Sequence, residues 1–408
     1  MSTCIKNIGK LINPNADGTW EEINDAAILF DDKIIRYGRE SEVLTDAKDA
    51  QIVDAGGRLV TPGLIDSHTH PAFAEARAVE FEMRNQGKSY QEIAVSGGGI
   101  RSSVRSLREI SEDDLVERML PRMDRFLTNG ITTIEAKSGY GLSLEHELKQ
   151  LCAIKRCDQE HPLSLVPTLL AAHEIPDEYR HDRKAYLNIV MNEIIPAVAE
   201  RKLALFCDVF CEEGVYSTQE SRTVLETGKK HGLIPKIHAD QLTDTGAAEL
   251  AADVGAISAE HLDFISDSGI AKMAEAGVVF TLLPGAVIFL GYNQYPPARK
   301  ILQAGGNIAI ATDFNPGSSA TQNLSLMMTL CCVFCGLTTK EALWATTRGG
   351  ARALNLEGKT GCIDAGVDAD LVVWDCDEEN LIPYYFGINQ VRKVFKSGKL
   401  VVNNGLII

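Results

Sequence analysis

The sequence predicts an α/β protein: a (β/α)8 TIM-type barrel carrying a small β-sandwich domain built from both chain ends. Three observations lead there. The centre of the chain alternates β-branched segments with stretches of helical periodicity, the pattern of a parallel sheet wrapped by helices. Both ends are rich in short strand-like runs instead. Histidines collect where the predicted central strands stop, and that is where such barrels carry their chemistry.

The chain opens with strands and turns. Ala26-Ala27-Ile28-Leu29-Phe30 meets the turn signal Asp31-Asp32, and Lys33-Ile34-Ile35-Arg36-Tyr37-Gly38 resumes the β-prone texture. Residues 51–60 repeat it, as do residues 369–375 and 391–402 at the far end. Residues 1–60 and 359–408 are therefore expected to pair into one small domain, with 61–358 forming the barrel. Two separate hairpins packed on the barrel are the alternative.

Eight central strands are expected: one ending at His68, then 130–137, 164–172, 204–210, 234–237, 256–258, 278–283 and 307–311. The helical stretch 111–129 sets Leu115, Met119, Met123 and Phe126 on one face, and Ser111 with Asp114 has the form of a capping box. Eight β/α units point to a closed barrel rather than an open sheet.

The first of these strands carries the strongest signal, Leu59-Val60-Thr61-Pro62-Gly63-Leu64-Ile65-Asp66-Ser67-His68-Thr69-His70. Residues i and i+2 of a strand face the same way, so His68 and His70 aim at one point and make half a site for zinc or a similar metal. Later strands supply partners. Tyr140 follows the second, His173 the third, His238 the fifth, His261 the sixth and Asp313 the eighth. His146, His161, His181 and His231 lie among charged residues, where exposure accounts for them.

The metal inventory is then His68, His70, His238 and Asp313, with Asp313 placed to bind the ion or to take a proton from water. Asp313-Phe314-Asn315-Pro316-Gly317 is also a run of turn formers, and His238 could be a satisfied core histidine. His173 and His261 stay open between substrate contact, proton shuttle and support of the ligands. The fourth strand, Phe206-Cys207-Asp208-Val209-Phe210-Cys211-Glu212, holds no lysine to bridge two metals, so a single ion is expected. Cys211 and Glu212 are candidates for pocket lining, with core packing or a helix start their expected use.

Composition bounds the function classes. The chain has 408 residues, 45% hydrophobic and 24% charged, with a formal charge of −16. That acidity, with no long basic run, argues against nucleic acid. No apolar stretch of ~18 residues suggests a membrane span. Met1-Ser2-Thr3-Cys4 is not expected to begin a signal peptide, and the ten cysteines read as reduced thiols, so the cytoplasm is the expected compartment.

These residues, with Lys137-Ser138-Gly139-Tyr140-Gly141-Leu142, Ala171-Ala172-His173, Asp208-Val209-Phe210-Cys211-Glu212, His238-Ala239-Asp240-Gln241-Leu242, Leu282-Leu283-Pro284-Gly285 and Thr312-Asp313-Phe314-Asn315-Pro316-Gly317-Ser318-Ser319, resemble the amidohydrolase superfamily and, within it, the imidazolonepropionase family. Gln86-Gly87-Lys88-Ser89-Tyr90 and Gly97-Gly98-Gly99-Ile100 match as well. The resemblance spans essentially the whole chain.

It implies hydrolysis of the cyclic amide of 4-imidazolone-5-propanoate, a small anionic substrate, to N-formimidoyl-L-glutamate. It implies one divalent or trivalent metal ion, zinc or iron, on His68, His70, His238 and Asp313. It also implies substrate contacts by Arg77, Tyr140, His173, Gln241, Asn315, Gly317 and Ser318. Asp313, His261 and His238 become the catalytic set, with Arg77 as a two-pronged clamp on the propanoate. A homodimer is the expected assembly. The segment Pro71-Ala72-Phe73-Ala74-Glu75-Ala76-Arg77 is poorer in glycine than the resemblance suggests, and Ala136 stands where a branched residue is expected.

Two other readings compete. A heterocycle deaminase would want an acid three residues after His238, where this chain has Gln241. A catalytically inactive scaffold barrel would have lost a ligand, and none is missing.

Overall fold

The computed structural model describes residues 2–88, 92 and 97–408; Ser89 and Tyr90 of the motif beginning at Gln86 lie outside them. The N-terminal strands are β1 (Thr3–Pro14), β2 (Trp20–Phe30), β3 (Ile34–Arg39) and β4 (Gln51–Pro62). The barrel strands follow: β5 (Leu64–Asp66), β6 (Ile131–Lys137), β7 (Ser164–Ala172), β8 (Phe206–Cys211), β9 (Ile234–Ala239), β10 (Ser258–His261), β11 (Val279–Leu282) and β12 (Ile308–Ile310). The chain closes with β13 (Leu371–Trp374), β14 (Val391–Lys396), β15 (Lys399–Asn403) and β16 (Leu406–Ile407).

The two chain ends form one sheet, not two hairpins. Its order is β16-β15-β14-β13-β4-β1-β2-β3, and the joint is the antiparallel pairing of Val60, Thr61 and Pro62 with Val373, Val372 and Leu371. The sheet curls over itself. Phe30 on β2 and Phe395 on β14 stand four strands apart in that order, yet their rings meet edge to face at 5.4 Å. Between them lies a core of Ile5, Ile28, Val60, Leu371 and Val373, the inward alternate residues of their strands.

β5 to β12 run parallel and in sequence order, the expected barrel. Among the described residues no ladder joins β12 to β5, and the one backbone bridge across the seam lies beyond the strands, between Thr69 and Phe314. Side chains and loops close the seam instead. Asp66 accepts from the Thr312 amide at 2.9 Å and the Thr312 hydroxyl at 2.6 Å. Just beyond, the Asp313 amide donates to the His68 carbonyl at 3.1 Å and the His70 amide to the Phe314 carbonyl at 2.8 Å. From below, the helix Arg348–Ala353 presses two glycines against the strands. A Cβ on Gly349 would lie 2.2 Å from the Ile308 carbonyl oxygen, and one on Gly350 2.8 Å from that of Ile65.

The helix Glu112–Thr128 buries Leu115, Met119, Met123 and Phe126, as its spacing predicts. Its cap is half a capping box. Ser111 Oγ accepts from the Asp114 amide, and the Asp114 carboxylate takes the Ser111 hydroxyl hydrogen instead of the Ser111 amide.

Candidate metal centre

The seam brings the first and last strand ends to one point. His68 Nε2 lies 3.2 Å from His70 Nε2, and Asp313 Oδ1 stands 3.4 Å and 3.5 Å from those two nitrogens. His68 also belongs to a second triad with His238 and His261, whose ligand atoms lie within 4.8 Å of one another. The His68 ring sits 4.6 Å from that of His238 and 5.6 Å from that of His261. All five side chains are buried. Asp313 and His261 hold φ of 52° and 75°, the left-handed region in which Asp and His are enriched among non-glycine residues.

These distances suit a metal ion. Donors bound at about 2.0–2.1 Å and separated by 90–110° at the ion lie about 3.0–3.4 Å apart, the range His68, His70 and Asp313 approach. One ring donating Nε2–H to the other would also bring the two nitrogens to 3.2 Å, so the discriminating observation is Nε2 of His238, which is buried and has no hydrogen-bond partner among the described residues. The residues fit the ion.

Burial, then the neighbouring His68, His173 and His238, hold His70 well below its ordinary pKa, so it offers a lone pair. Burial, then His238 and His68, does the same for His261. Burial also opposes the charged form of His68, but the carboxylates of Glu260 and Asp313 outweigh it and lift that ring to about 9. A bound cation reverses this last balance by competing for the same lone pair.

Beneath the histidines, sequence reading missed a cluster of five charged side chains with no solvent exposure. Lys137 Nζ lies 2.7 Å from Asp208, 3.0 Å from Glu135 and 3.1 Å from Glu260. Lys236 Nζ lies 2.9 Å from Glu135 and 3.0 Å from Glu260. Burial alone would push Asp208 and Glu260 up and Lys137 down; the opposite charges overcome it, holding both acids below and Lys137 above their ordinary values. The signal was in the sequence: Glu135 and Lys137, like Lys236 and His238, are two apart in strands otherwise apolar or β-branched.

Loops supply the rest of the site. The Tyr140 loop hangs on the helix Leu144–Glu160, where Glu147 accepts from the amides of Gly139, Gly141 and Leu142 at 3.2, 2.9 and 2.8 Å. Gln150 accepts from the Tyr140 amide. Glu147 and Gln150 were also missed, being two more polar residues on an amphipathic helix. Burial keeps the Tyr140 phenol protonated. His173 stacks on His70 at 5.3 Å and bonds the Gly139 carbonyl through Nδ1. Gln241 is half-buried, just past β9. Glu212, expected to start a helix or pack in the core, accepts instead from the Leu242 amide beside Gln241.

Asn315 and Ser318 knit the Asp313 loop. Asn315 accepts from the Gly317 and Ser318 amides and donates to the Asp313 carbonyl, while Ser318 Oγ donates to Asp313 Oδ2 at 3.2 Å. Gly317 makes room for Arg77, since a Cβ there would come within 2.3 Å of a terminal guanidinium nitrogen. Glu80 takes the Nε side of that guanidinium at 2.8 Å and itself accepts from the Gly99 amide and the Ser102 hydroxyl. Among the described residues the edge between the two terminal nitrogens has no carboxylate partner of its own. Arg77 and Asn315 line a cavity of about 620 Å³ with Phe73, Phe81, Phe289 and Phe314, which the histidines do not line. Outside the site, His146 and His161 are half-buried and bonded to Ser143 and Asp124, a correction to their expected exposure.

The chain belongs to the amidohydrolase family, whose pattern covers residues 59–401. The fold is shared with a triazine hydrolase variant (TM-score 0.78, 17% identity, covering 100% of this chain and 96% of that one). It is shared too with E. coli guanine deaminase (TM-score 0.77, 16% identity, 99% of each chain). Within the amidohydrolases the chain belongs with the imidazolonepropionases. It is 47% identical to that of Geobacillus kaustophilus over 94% of this chain and 91% of the relative. It is 46% identical to that of Symbiobacterium thermophilum over 95% and 94%.

The geometry predicts that His70→Ala, which removes one of the three closest ligand atoms, loses most of its bound metal. Elemental analysis of purified protein checks it, and a full metal equivalent in the variant would take His70 out of the ligand set.

Proposed function

We propose that this protein hydrolyses the ring amide of 4-imidazolone-5-propanoate to N-formimidoyl-L-glutamate in histidine degradation, using one ion of zinc or iron held by His68, His70, His238 and Asp313. The observation that carries the reading is the convergence of His68, His70 and Asp313 within 3.5 Å at the barrel mouth, in a chain 47% identical to an imidazolonepropionase. When bound, the metal supplies a Lewis acid toward the amide carbonyl and toward water.

The side chains divide the remaining work. Asp313 turns Oδ1 to the histidines and gives Oδ2 to Ser318, so one carboxylate can bind and still exchange a proton. It takes the proton of the attacking water and returns it to the ring nitrogen as the C–N bond breaks. His261, its ring 5.6 Å from that of His68 and 5.4 Å from that of His238, stabilises the developing oxyanion. Gln241 hydrogen-bonds but cannot titrate, which leaves proton traffic to Asp313 and His261 and disfavours the deaminase reading. Tyr140 and His173 border the ring, and the free edge of Arg77 meets the propanoate.

A homodimer and a cytoplasmic setting complete the proposal. Exposed Tyr384, Phe386 and Ile388 offer an apolar surface, and all ten cysteines are free thiols. No helix among the described residues is long and apolar enough to cross a membrane.

Asp313→Asn should keep the fold and lower kcat by roughly a hundredfold or more, the scale of a lost general base. Steady-state kinetics at saturating metal checks this, and near-normal turnover would move the base to His261. Arg77→Met should cut kcat/KM by about ten- to a hundredfold without changing metal content, since a hydrogen bond to a charged group is worth roughly 1.5–3 kcal/mol. The loss should shrink for an analogue whose carboxylate is a neutral amide. Equal losses for acid and amide would assign Arg77 to holding the loop.

A further inference from the structure

The charged cluster under the ligands touches them at two places. Glu260 Oε2 lies 3.0 Å from His68 Nδ1, and Asp208 Oδ2 lies 3.0 Å from His238 Nδ1. We infer that this cluster is a positioning device for the metal ligands: Asp208 and Glu260, tied together by Lys137, keep hydrogen on Nδ1 of His238 and His68 and so present Nε2 of both rings to the metal. The inference rests on the metal reading of the site and adds residues that reading does not require.

Four observations support it. The first is orientation, because His68 has Nε2 on the side of His70 and Asp313 and Nδ1 on the opposite edge of the ring, 3.0 Å from Glu260 Oε2. The second is the pattern of contacts. Lys137 reaches both acids that touch histidines, and Ser258 donates to the other oxygen of Glu260 at 2.7 Å, so Glu260 is fixed from two sides. Glu135 is held in turn by both lysines and by the Thr168 hydroxyl.

The third is charge. Three carboxylates against two ammonium groups leave one negative charge just below the histidines, which favours a cation above them. The fourth is energetic. Buried ion networks contribute little net stability compared with apolar packing, so five such residues in a barrel axis call for another use. At both histidines the oxygen lies close but off the hydrogen-bonding direction of Nδ1, so the contact acts here through charge and proximity. Carboxylates beside the far nitrogen of a ligating histidine set its tautomer and ring orientation in metal sites generally.

The test is zinc affinity of metal-stripped protein, measured by competition with a chromophoric chelator. Asp208→Asn and Glu260→Gln should each weaken zinc binding about ten- to a hundredfold. Asp370→Asn is the control for lost stability. It removes an equally buried acid, paired with Lys396 at 2.6 Å in the small sheet, and should leave zinc affinity unchanged. Affinities within twofold of wild type for both cluster variants, or an equal loss in Asp370→Asn, would overturn the inference.

Long-range 1H–15N NMR of zinc-loaded wild-type protein tests it without any variant. His68 and His238 should be protonated on Nδ1 and metallated on Nε2, and the reverse assignment for either would contradict it. Wild-type protein that takes up no zinc or iron would overturn the metal centre itself, and this inference with it.

Discussion

The pair of hydrogen bonds from Thr312 to Asp66 is the constraint on which the site depends. β5 and β12 form no ladder with each other, so the barrel closes through the buried Asp66 carboxyl group and the two backbone hydrogen bonds just beyond it. His68 and His70 follow Asp66 within four residues, and Asp313 follows Thr312 directly. Closing the seam and assembling the ligands are therefore one event. The arrangement has a cost. Burial raises the Asp66 pKa to about 7, against the pull of the Thr312 bonds. Such strain is tolerated where it fixes a functional geometry, as the left-handed backbone at Asp313 does beside it.

The same device recurs around the barrel mouth. Glu147 holds the Tyr140 loop, Asp240 the turn into the helix Ala247–Val254, Glu212 the stretch beside Gln241, and Glu80 both Arg77 and the Gly99 turn. Each is a carboxylate accepting backbone N–H groups that would otherwise lie buried and unpaired. An acidic protein thus keeps part of its negative charge inside, as loop anchors. Arg77 stands at the edge of a cavity that Arg118, Arg122 and Arg125 also line.

Much of this was legible in the sequence, and the physical reason is periodicity. All eight barrel strands were found because buried parallel strands read as apolar or β-branched runs, and His68, His70, His238, His261 and Asp313 because they end such runs. What stayed hidden were the charges inside. Lys137, Asp208, Lys236 and Glu260 have the residue types of a surface, and only their place on inward strand faces betrays them. Long-range partners were equally out of reach. Nothing local announces that Glu80 will hold Arg77 or that Gly317 will leave room for it, whereas the shared texture of the two chain ends did announce the sheet that β4 and β13 join.

In the proposed reaction one metal ion, seated beside the seam, serves hydrolysis of an imidazolone ring amide. The most direct measurement is an anaerobic assay with freshly made 4-imidazolone-5-propanoate on metal-stripped and reconstituted protein, with metal content determined alongside. Imidazolone absorbance should fall and N-formimidoyl-L-glutamate should form in proportion to metal, saturating at one equivalent per chain. No turnover by fully metallated protein, or equal turnover without metal, would contradict the proposed reaction.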